Sequence, residues 1–271
     1  MQERLATPGP ELLITYPEPG IAVVTLNRSQ ARNALSIALI EGLHRAMMDA
    51  GGNGTVAAIV IAANGPVFSA GHDLKEMTAH RGDGDGGKAF FDHTMTSCSL
   101  LMQAIIACPK PVIAAVQGTA TAAGCQLVAT CDLAVASETA EFATPGVNIG
   151  LFCSTPMVAL SRNVPRKRAM EMLLLGEMLS ASDAFHYGLI NRAVAADRVL
   201  SEALAMARRI AAKSKATVAI GKEAFYRQIE LPVGEAYNFA AQVMVENMMS
   251  ADAREGIGAF IEKRPPVWTK S

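Results

Sequence analysis

The 271-residue sequence predicts an α/β protein: a core of alternating strands and helices over residues 1–198, then a helical region over 199–271. Three observations carry that expectation. The short apolar, mostly β-branched runs IAVVTL, AAIVIAA, VIAAV and LAVAS recur between helical patterns. Turns rich in Gly, Asn and Ala separate each run from the next helix start. From about residue 165 the pattern is helical, rich in Ala, Met, Glu and Arg.

The elements follow in order. IAVVTL at 21–26 reads as a strand, and LNRSQARN after it is turn-rich. Ser36 reads as the N-cap of a helix whose Ile37, Ile40, Leu43 and Met47 share one face. AAIVIAA at 57–63 suits a buried strand. NGPVFSAGHD then leads into a helix at LKEM, with Asp73 and Glu76 spaced as a capping box. RGDGDGG at 81–87 reads as a flexible acidic loop. It is not a dinucleotide fingerprint, because no strand precedes it and the glycine order fails. FFDHTMTSCSLLMQAIIACPKP reads as a helix ended by Pro109 and Pro111. VIAAV is a strand at 112–116, GTATAAG a turn, CQLVATC a helix and LAVAS a strand at 133–137. PRKRAMEMLLLG stops at Gly176, and SASDAFHYG has Ser180 as N-cap, Asp183 as its partner and Gly188 as stop.

Composition excludes several classes of function. Half of the chain, 51%, is hydrophobic, which supplies a sizeable core, and the net charge of −1 leaves no electrostatic footprint for nucleic acid. No apolar run reaches the roughly 18 residues that a membrane span needs. The opening MQERLATPGPELL has neither an apolar signal core nor an Arg/Ser-rich amphipathic pattern. The expectation is an intracellular protein, cytoplasmic in a bacterium, with the mitochondrial matrix as the eukaryotic alternative. Cys98, Cys108, Cys125, Cys131 and Cys153 form no C-x-x-C pair and read as small buried hydrophobes. His44, His72, His80, His93 and His186 show no ligand spacing, so no metal site is expected.

Two segments share one layout. AAIVIAANGPVFSAGHDLKEM and PVIAAVQGTATAAGCQLVATC each run from strand, through a turn of small residues, to a helix. The first N–H groups of a helix lack an intrahelical partner and lie at its positive end. Small residues let a ligand approach the backbone closely. Two such ends facing one point make an oxyanion hole. Either turn alone is an ordinary α/β connector, and the sequence does not show that the two meet.

LNRSQARNALS, FSAGHDLKEM, KPVIAAVQGTATAAGCQLVATCDLAVAS and EGIGAFIEKRPPVW resemble successive blocks of the crotonase, or enoyl-CoA hydratase/isomerase, superfamily. They stand in the family's order and span about residues 12 to 268. The resemblance implies a spiral of ββα units with a C-terminal helical trimerisation region, assembled as a trimer or a dimer of trimers. It implies an acyl-CoA thioester as substrate and no prosthetic group. It implies that the backbone N–H groups of His72 and Ala123 hold an enolate-like thioester oxygen, Ala123 standing where many members have Gly. Ala70, Asp73 and Leu74 fall where members wrap the adenine end of coenzyme A, and Arg32 falls near its phosphates. Phe260 and Lys263 match C-terminal contacts to coenzyme A, often made across a subunit boundary. Each also has an ordinary role: Asp73 as an N-cap, Arg32 and Lys263 as solvated charges, Phe260 as a packing aromatic.

The departures from the family pattern bear on the reaction. Hydratases of the family flank the substrate double bond with two glutamates, and here those positions hold Gln126 and Gly146. An amide orients water but does not exchange a proton near neutral pH. General acid–base catalysis contributes about 10²–10⁴-fold, so ordinary hydration is expected to be nearly lost. GTATAAGCQL and ATPGVNIGLFCSTP are most similar to a subgroup of enoyl-CoA hydratase domain-containing proteins that lack both glutamates. Methylmalonyl-CoA decarboxylase is a second likeness, since its chemistry needs the oxyanion hole but no carboxylate base. Its tyrosine falls at Cys153 here, with Asn148, Ser154 and Thr155 as the nearest polar neighbours in sequence. A thiol of pKa about 8.5 makes Cys153 a candidate acid. Glu138 and Glu141 are expected on the surface. A non-catalytic acyl-CoA-binding or regulatory relative is the alternative from a different class.

Overall fold

The computed structural model describes residues 10–269; the first nine residues of the opening segment, and with them part of the region read for a leader, lie outside it. The chain begins with a hairpin of β1 (Leu12–Glu18) and β2 (Ile21–Leu26), paired antiparallel. β1 is absent from the sequence reading. It is an edge strand with Ile14 and Tyr16 exposed and Pro17 within it, so its apolar side chains do not mark a buried face.

β3 (Ala58–Ala63), β5 (Val112–Val116), β7 (Leu133–Ser137) and β10 (Arg192–Val194) extend the sheet in parallel, in the order β1-β2-β3-β5-β7-β10. A second sheet holds β4 (Val67–Ser69), β6 (Thr119–Thr121), β8 (Glu141–Ala143) and β9 (Leu179–Ser180) in that order. Helices interleave with these strands: α1 (Ile37–Gly52), α2 (Leu74–Ala79), α3 (Lys88–Ala107), α4 (Ala123–Thr130), α5 (Pro156–Asn163) and α6 (Arg166–Leu175). β3-β4-α2, β5-β6-α4 and β7-β8-α5 each place one strand in each sheet, so the chain winds as a spiral of ββα units. The two-residue and three-residue strands of the small sheet are too short for a side-chain pattern, which is why the sequence reads them as turns.

The large sheet is covered on both faces, as its parallel strands require. Ile59 and Ile61 of β3 join Leu35, Ile40, Phe68 and Phe142 on one side. Ala58, Val60 and Ala62 join Ile113 and Val135 on the other. Fully burying a side chain of this size contributes about 1.5–3 kcal/mol. The outer face is closed by α8 (Val199–Ala211), whose Val199, Ala203 and Ala207 pack against the strands. The expected boundary at 198 thus falls where a helix begins that belongs to the core by packing. The five cysteines are all buried.

The caps refine the sequence reading. Ser36 and Ser180 accept from Leu39 and Asp183 N–H as N-caps of α1 and α7 (Ala181–His186). Asp73 accepts from the N–H groups of Lys75 and Glu76. The reciprocal half of the capping box is not formed. Glu76 Oε2 instead accepts from Ile37 N at 3.0 Å, while Asp73 N donates to Leu35 O at 3.2 Å, so the turn is bonded to α1 and its approach. The acidic loop contains a 3₁₀ turn, and Asp85 accepts from Gly87 and Ala89 N–H at the start of α3.

The C-terminal helices are α9 (Lys215–Gln228), α10 (Val233–Met248) and α11 (Ala251–Glu262). α9 is fastened by Lys222, whose Nζ donates to Asp132 Oδ2 at 2.7 Å and Ile105 O at 2.9 Å. No residue of α10 is buried, and Tyr237, Met249, Phe260 and Ile261 present apolar surface to solvent. Among the described residues no helix is long and apolar enough to cross a membrane.

Candidate active site at two apposed turns

β4 and β6 pair in parallel, with Val67 opposite Thr119 and Ser69 opposite Ala120. The turns after them therefore leave the small sheet at the same end. Gly71 has φ +87°, and a Cβ on it would stand 2.8 Å from Ala122 Cβ, 3.0 Å from Thr121 O and 3.2 Å from Ala123 N. The two turns meet at this point. Glycine is required twice here, for its left-handed backbone and for the space a side chain would take. Ala122 adopts φ 49°, ψ −119°, a conformation costing a non-glycine residue on the order of 1–3 kcal/mol. The constrained residue of the second turn is thus Ala122, which immediately precedes Ala123.

The N–H groups around the junction are mostly engaged. Ala70 N donates to Arg32 O at 3.1 Å, Ala122 N to Ala143 O at 2.9 Å and Gln126 N to Ala122 O at 3.0 Å. The N–H groups of His72 and Ala123 find no acceptor among the described residues. Ala123 opens α4, so its N–H lies at the positive end of that helix. The His72 imidazole is a separate matter. Both ring nitrogens are buried and make no hydrogen bond of good geometry among the described residues; burial lowers the pKa, with the nearby Leu35 backbone opposing that shift. The ring is neutral at pH 7.

Gln126 lies in α4 with 4% of its surface exposed. Its Oε1 and the Thr144 hydroxyl are both buried without a partner among the described residues. The bonds of Ala122 to Gln126 N and Ala143 O place both residues beside the second turn.

Gly146 sits in a 3₁₀ turn over Pro145–Ile149 and is buried. A Cβ there would meet Leu151 O at 2.7 Å and Cys153 Sγ at 2.9 Å. The backbone is closed around it, with Leu151 N donating to Gly146 O at 2.9 Å. Cys153 is 8% exposed, and burial pushes its thiol up, which carries it away from neutral-pH proton exchange. Cys125 is also pushed up, to about 12, by burial and by the neighbouring Cys153. Asn148 Nδ2 donates to Gly176 O and Ser154 Oγ to Phe152 O, so both serve local structure. Glu138 and Glu141 are exposed.

The positions matched to coenzyme A separate into two groups. Ala70, Asp73 and Leu74 lie on the first turn, and Arg32 touches it through its carbonyl. Burial disfavours the Asp73 charge, but Arg28 Nη1 at 2.7 Å and two N–H groups hold its pKa below the ordinary value. Both Asp73 oxygens are thereby occupied, one by the helix and one by Arg28. Leu74 is half exposed. Phe260 and Lys263 lie at the far end of α11, which packs on α9 and α10, and Phe260 is 85% exposed. Arg28, Asn33 and Ser69 carry bonds at the first turn that the sequence reading missed. Asn33 at φ 49° is their clearest signal, but the sequence does not display a backbone angle.

Two sheets wound from ββα units, with two strand-to-helix turns in contact, define a protein of the crotonase class. The chain belongs to the enoyl-CoA hydratase/isomerase family, whose pattern matches residues 17–271. It is 47% identical over 260 residues to enoyl-CoA hydratase domain-containing protein 3, mitochondrial, of Rattus norvegicus, covering 96% of this chain and 85% of the relative. The crystal structure of enoyl-CoA hydratase from Mycobacterium smegmatis superposes with a TM-score of 0.91 at 50% identity, covering 96% and 99% of the two chains. That of human enoyl coenzyme A hydratase domain-containing protein 3 gives 0.91 at 45% identity, covering 96% and 100%.

Proposed function

We propose that the chain binds an acyl-CoA thioester and stabilises enolate charge on its carbonyl oxygen with the N–H groups of His72 and Ala123. The observation that carries this reading is the contact of the two turns, with a Gly71 Cβ position 3.2 Å from Ala123 N and two N–H groups without acceptors among the described residues. Each such donor is worth about 10²–10³ in rate. Ala70, Asp73, Leu74 and Arg32 border the coenzyme A end of the site. Phe260 and Lys263 serve a neighbouring subunit in a trimer or dimer of trimers, a reading supported by the apolar surface of α10 and α11. No prosthetic group takes part.

Standard hydration is not the reaction. Gln126 holds no titratable proton, and Gly146 has no room for a carboxylate. Chemistry that forms the enolate without a protein carboxylate remains, as when a substituent leaves as CO₂ and its bonding electrons pass to the thioester. A second reading, a non-catalytic acyl-CoA-binding protein, is favoured by the closed backbone at Gly146. One experiment separates them: incubation with a saturated acyl-CoA and with crotonyl-CoA in heavy water. Deuterium at the α-carbon without hydrated product supports the enolate reading. Binding with neither, and with no CO₂ released from a 2-carboxyacyl-CoA, supports the non-catalytic one. Rapid hydration would overturn the placement of the site.

A further inference from the structure

We propose that Ser69, held by Asn33, is the positioning residue that fixes the two donors relative to each other; this rests on the oxyanion reading above. Both residues are fully buried. Ser69 Oγ donates to Asn33 O at 2.9 Å and accepts from Gly71 N at 3.3 Å. Asn33 is locked in turn. Its Oδ1 accepts from Arg28 N at 2.8 Å, and its Nδ2 donates to Asn64 O at 2.9 Å and Val67 O at 2.7 Å.

These bonds set the direction of the His72 N–H. Gly71 O accepts from Leu35 N at 2.7 Å. The peptide that carries this carbonyl also carries the His72 N–H, and a trans peptide points the two groups in opposite directions. The peptide before it ends in Gly71 N, the atom that Ser69 holds. Gly71 is the one residue of the turn whose backbone is intrinsically free, and it is anchored on both sides. Ser69 also lies against the second turn. A Cβ on Gly124 would come 2.3 Å from Ser69 O and 2.7 Å from Ser69 Cβ, so Ser69 lies against the residue that follows Ala123. One buried serine therefore bonds to the first turn and abuts the second.

Ser69→Ala removes the hydroxyl and keeps the Cβ that abuts Gly124. Ser69→Cys keeps the volume and leaves a weak donor and acceptor. The measurement is difference infrared spectroscopy of bound crotonyl-CoA carrying a ¹³C thioester carbonyl. In the unmodified protein the carbonyl stretch is expected to move to lower wavenumber on binding. Ser69→Ala is expected to lose about half of that shift or more, with the affinity for acyl-free coenzyme A unchanged. The rate of whichever enolate-forming reaction the unmodified protein shows, α-deuterium exchange or loss of CO₂ from a 2-carboxyacyl-CoA, is expected to fall about 10²-fold, as displacement of a donor by about 1 Å would cause. An unaltered shift in the variants overturns the proposal. Failure of both variants to fold also overturns it, because Ser69 would then serve stability in general. If the unmodified protein shows no shift, the oxyanion reading itself fails, and the two failures are told apart.

Discussion

On the proposed reading, Gly146 bears more on the reaction than Gln126 does. Gln and Glu are planar side chains of equal size, so Gln126→Glu alone places a carboxylate there. Gly146 cannot be restored in the same way. Its Cβ direction runs into Leu151 O and Cys153 Sγ, atoms of a segment closed onto it. Overpacking of this kind costs typically about 1–3 kcal/mol. Gly146→Ala is therefore expected to lower the melting temperature by several degrees in a thermal scan. Gln126→Glu combined with Gly146→Glu is expected to yield no hydration of crotonyl-CoA in a direct absorbance assay. Measurable hydration by a folded double variant would show that residues 150–153 give way. His72 makes a second prediction at this scale. Burial lowers its folded pKa below the unfolded value of 6.5. The unfolded chain then takes up the extra proton as pH falls, so this contribution is whole above about pH 6.5 and is lost through the folded pKa. Urea midpoints measured between about pH 8 and pH 5 should fall less in His72→Phe than in the unmodified protein.

The helix α9 is fastened to the core through a buried ion pair. Lys222 Nζ meets Asp132 Oδ2, and Tyr226 OH donates to Asp132 Oδ1 at 2.9 Å, while Val112 N donates to Asp132 Oδ2 at 2.7 Å. Burial and the Asp132 charge push the Tyr226 hydroxyl pKa up, which keeps it a donor. Lys222→Met leaves the carboxylate without its cation at a site where the lysine is 6% and the aspartate 16% exposed. Removing one partner of a buried pair costs about 3–5 kcal/mol, so the melting temperature should fall by roughly 10 °C. Lys222→Met with Asp132→Asn should recover part of that loss, and a double-mutant cycle on calorimetric melts measures how much. The same scale shows what the sequence discloses. β2, β3, β5 and β7 are legible because buried parallel strands read as continuous apolar runs. β4, β6, β8 and β9 are not, since two or three residues carry no period and their pairing is a backbone property. The site divides likewise. His72 and Ala123 follow from the quoted blocks and their resemblance. The contact between their turns comes from the β4–β6 pairing, and Ser69 and Asn33 meet across 36 positions of chain.

At the scale of the whole molecule, the chain leaves the matched coenzyme A positions in two places. Leu74 lies at the first turn, while Phe260 and Lys263 end α11, a helix packed on α9 and α10. The ring of identical subunits proposed above would reconcile them, because each α11 would then serve the next subunit's turn. That arrangement has a quantitative signature. Leu74→Glu places a carboxylate against an anionic ligand at a half-exposed position. Phe260→Ala with Lys263→Ala removes an aromatic and a positive charge from the other half. Each variant alone should bind coenzyme A about tenfold more weakly, a loss of ~1.4 kcal/mol. Unfolded together and reassembled in equal amounts, the two should recover high-affinity sites at about one quarter of the total, since each site draws its halves independently from adjacent chains in a closed ring. Sites built within one chain would recover none, because every chain carries a defect. Titration calorimetry on the mixed oligomer counts these sites directly, and sedimentation velocity on the same sample reports whether the ring has formed.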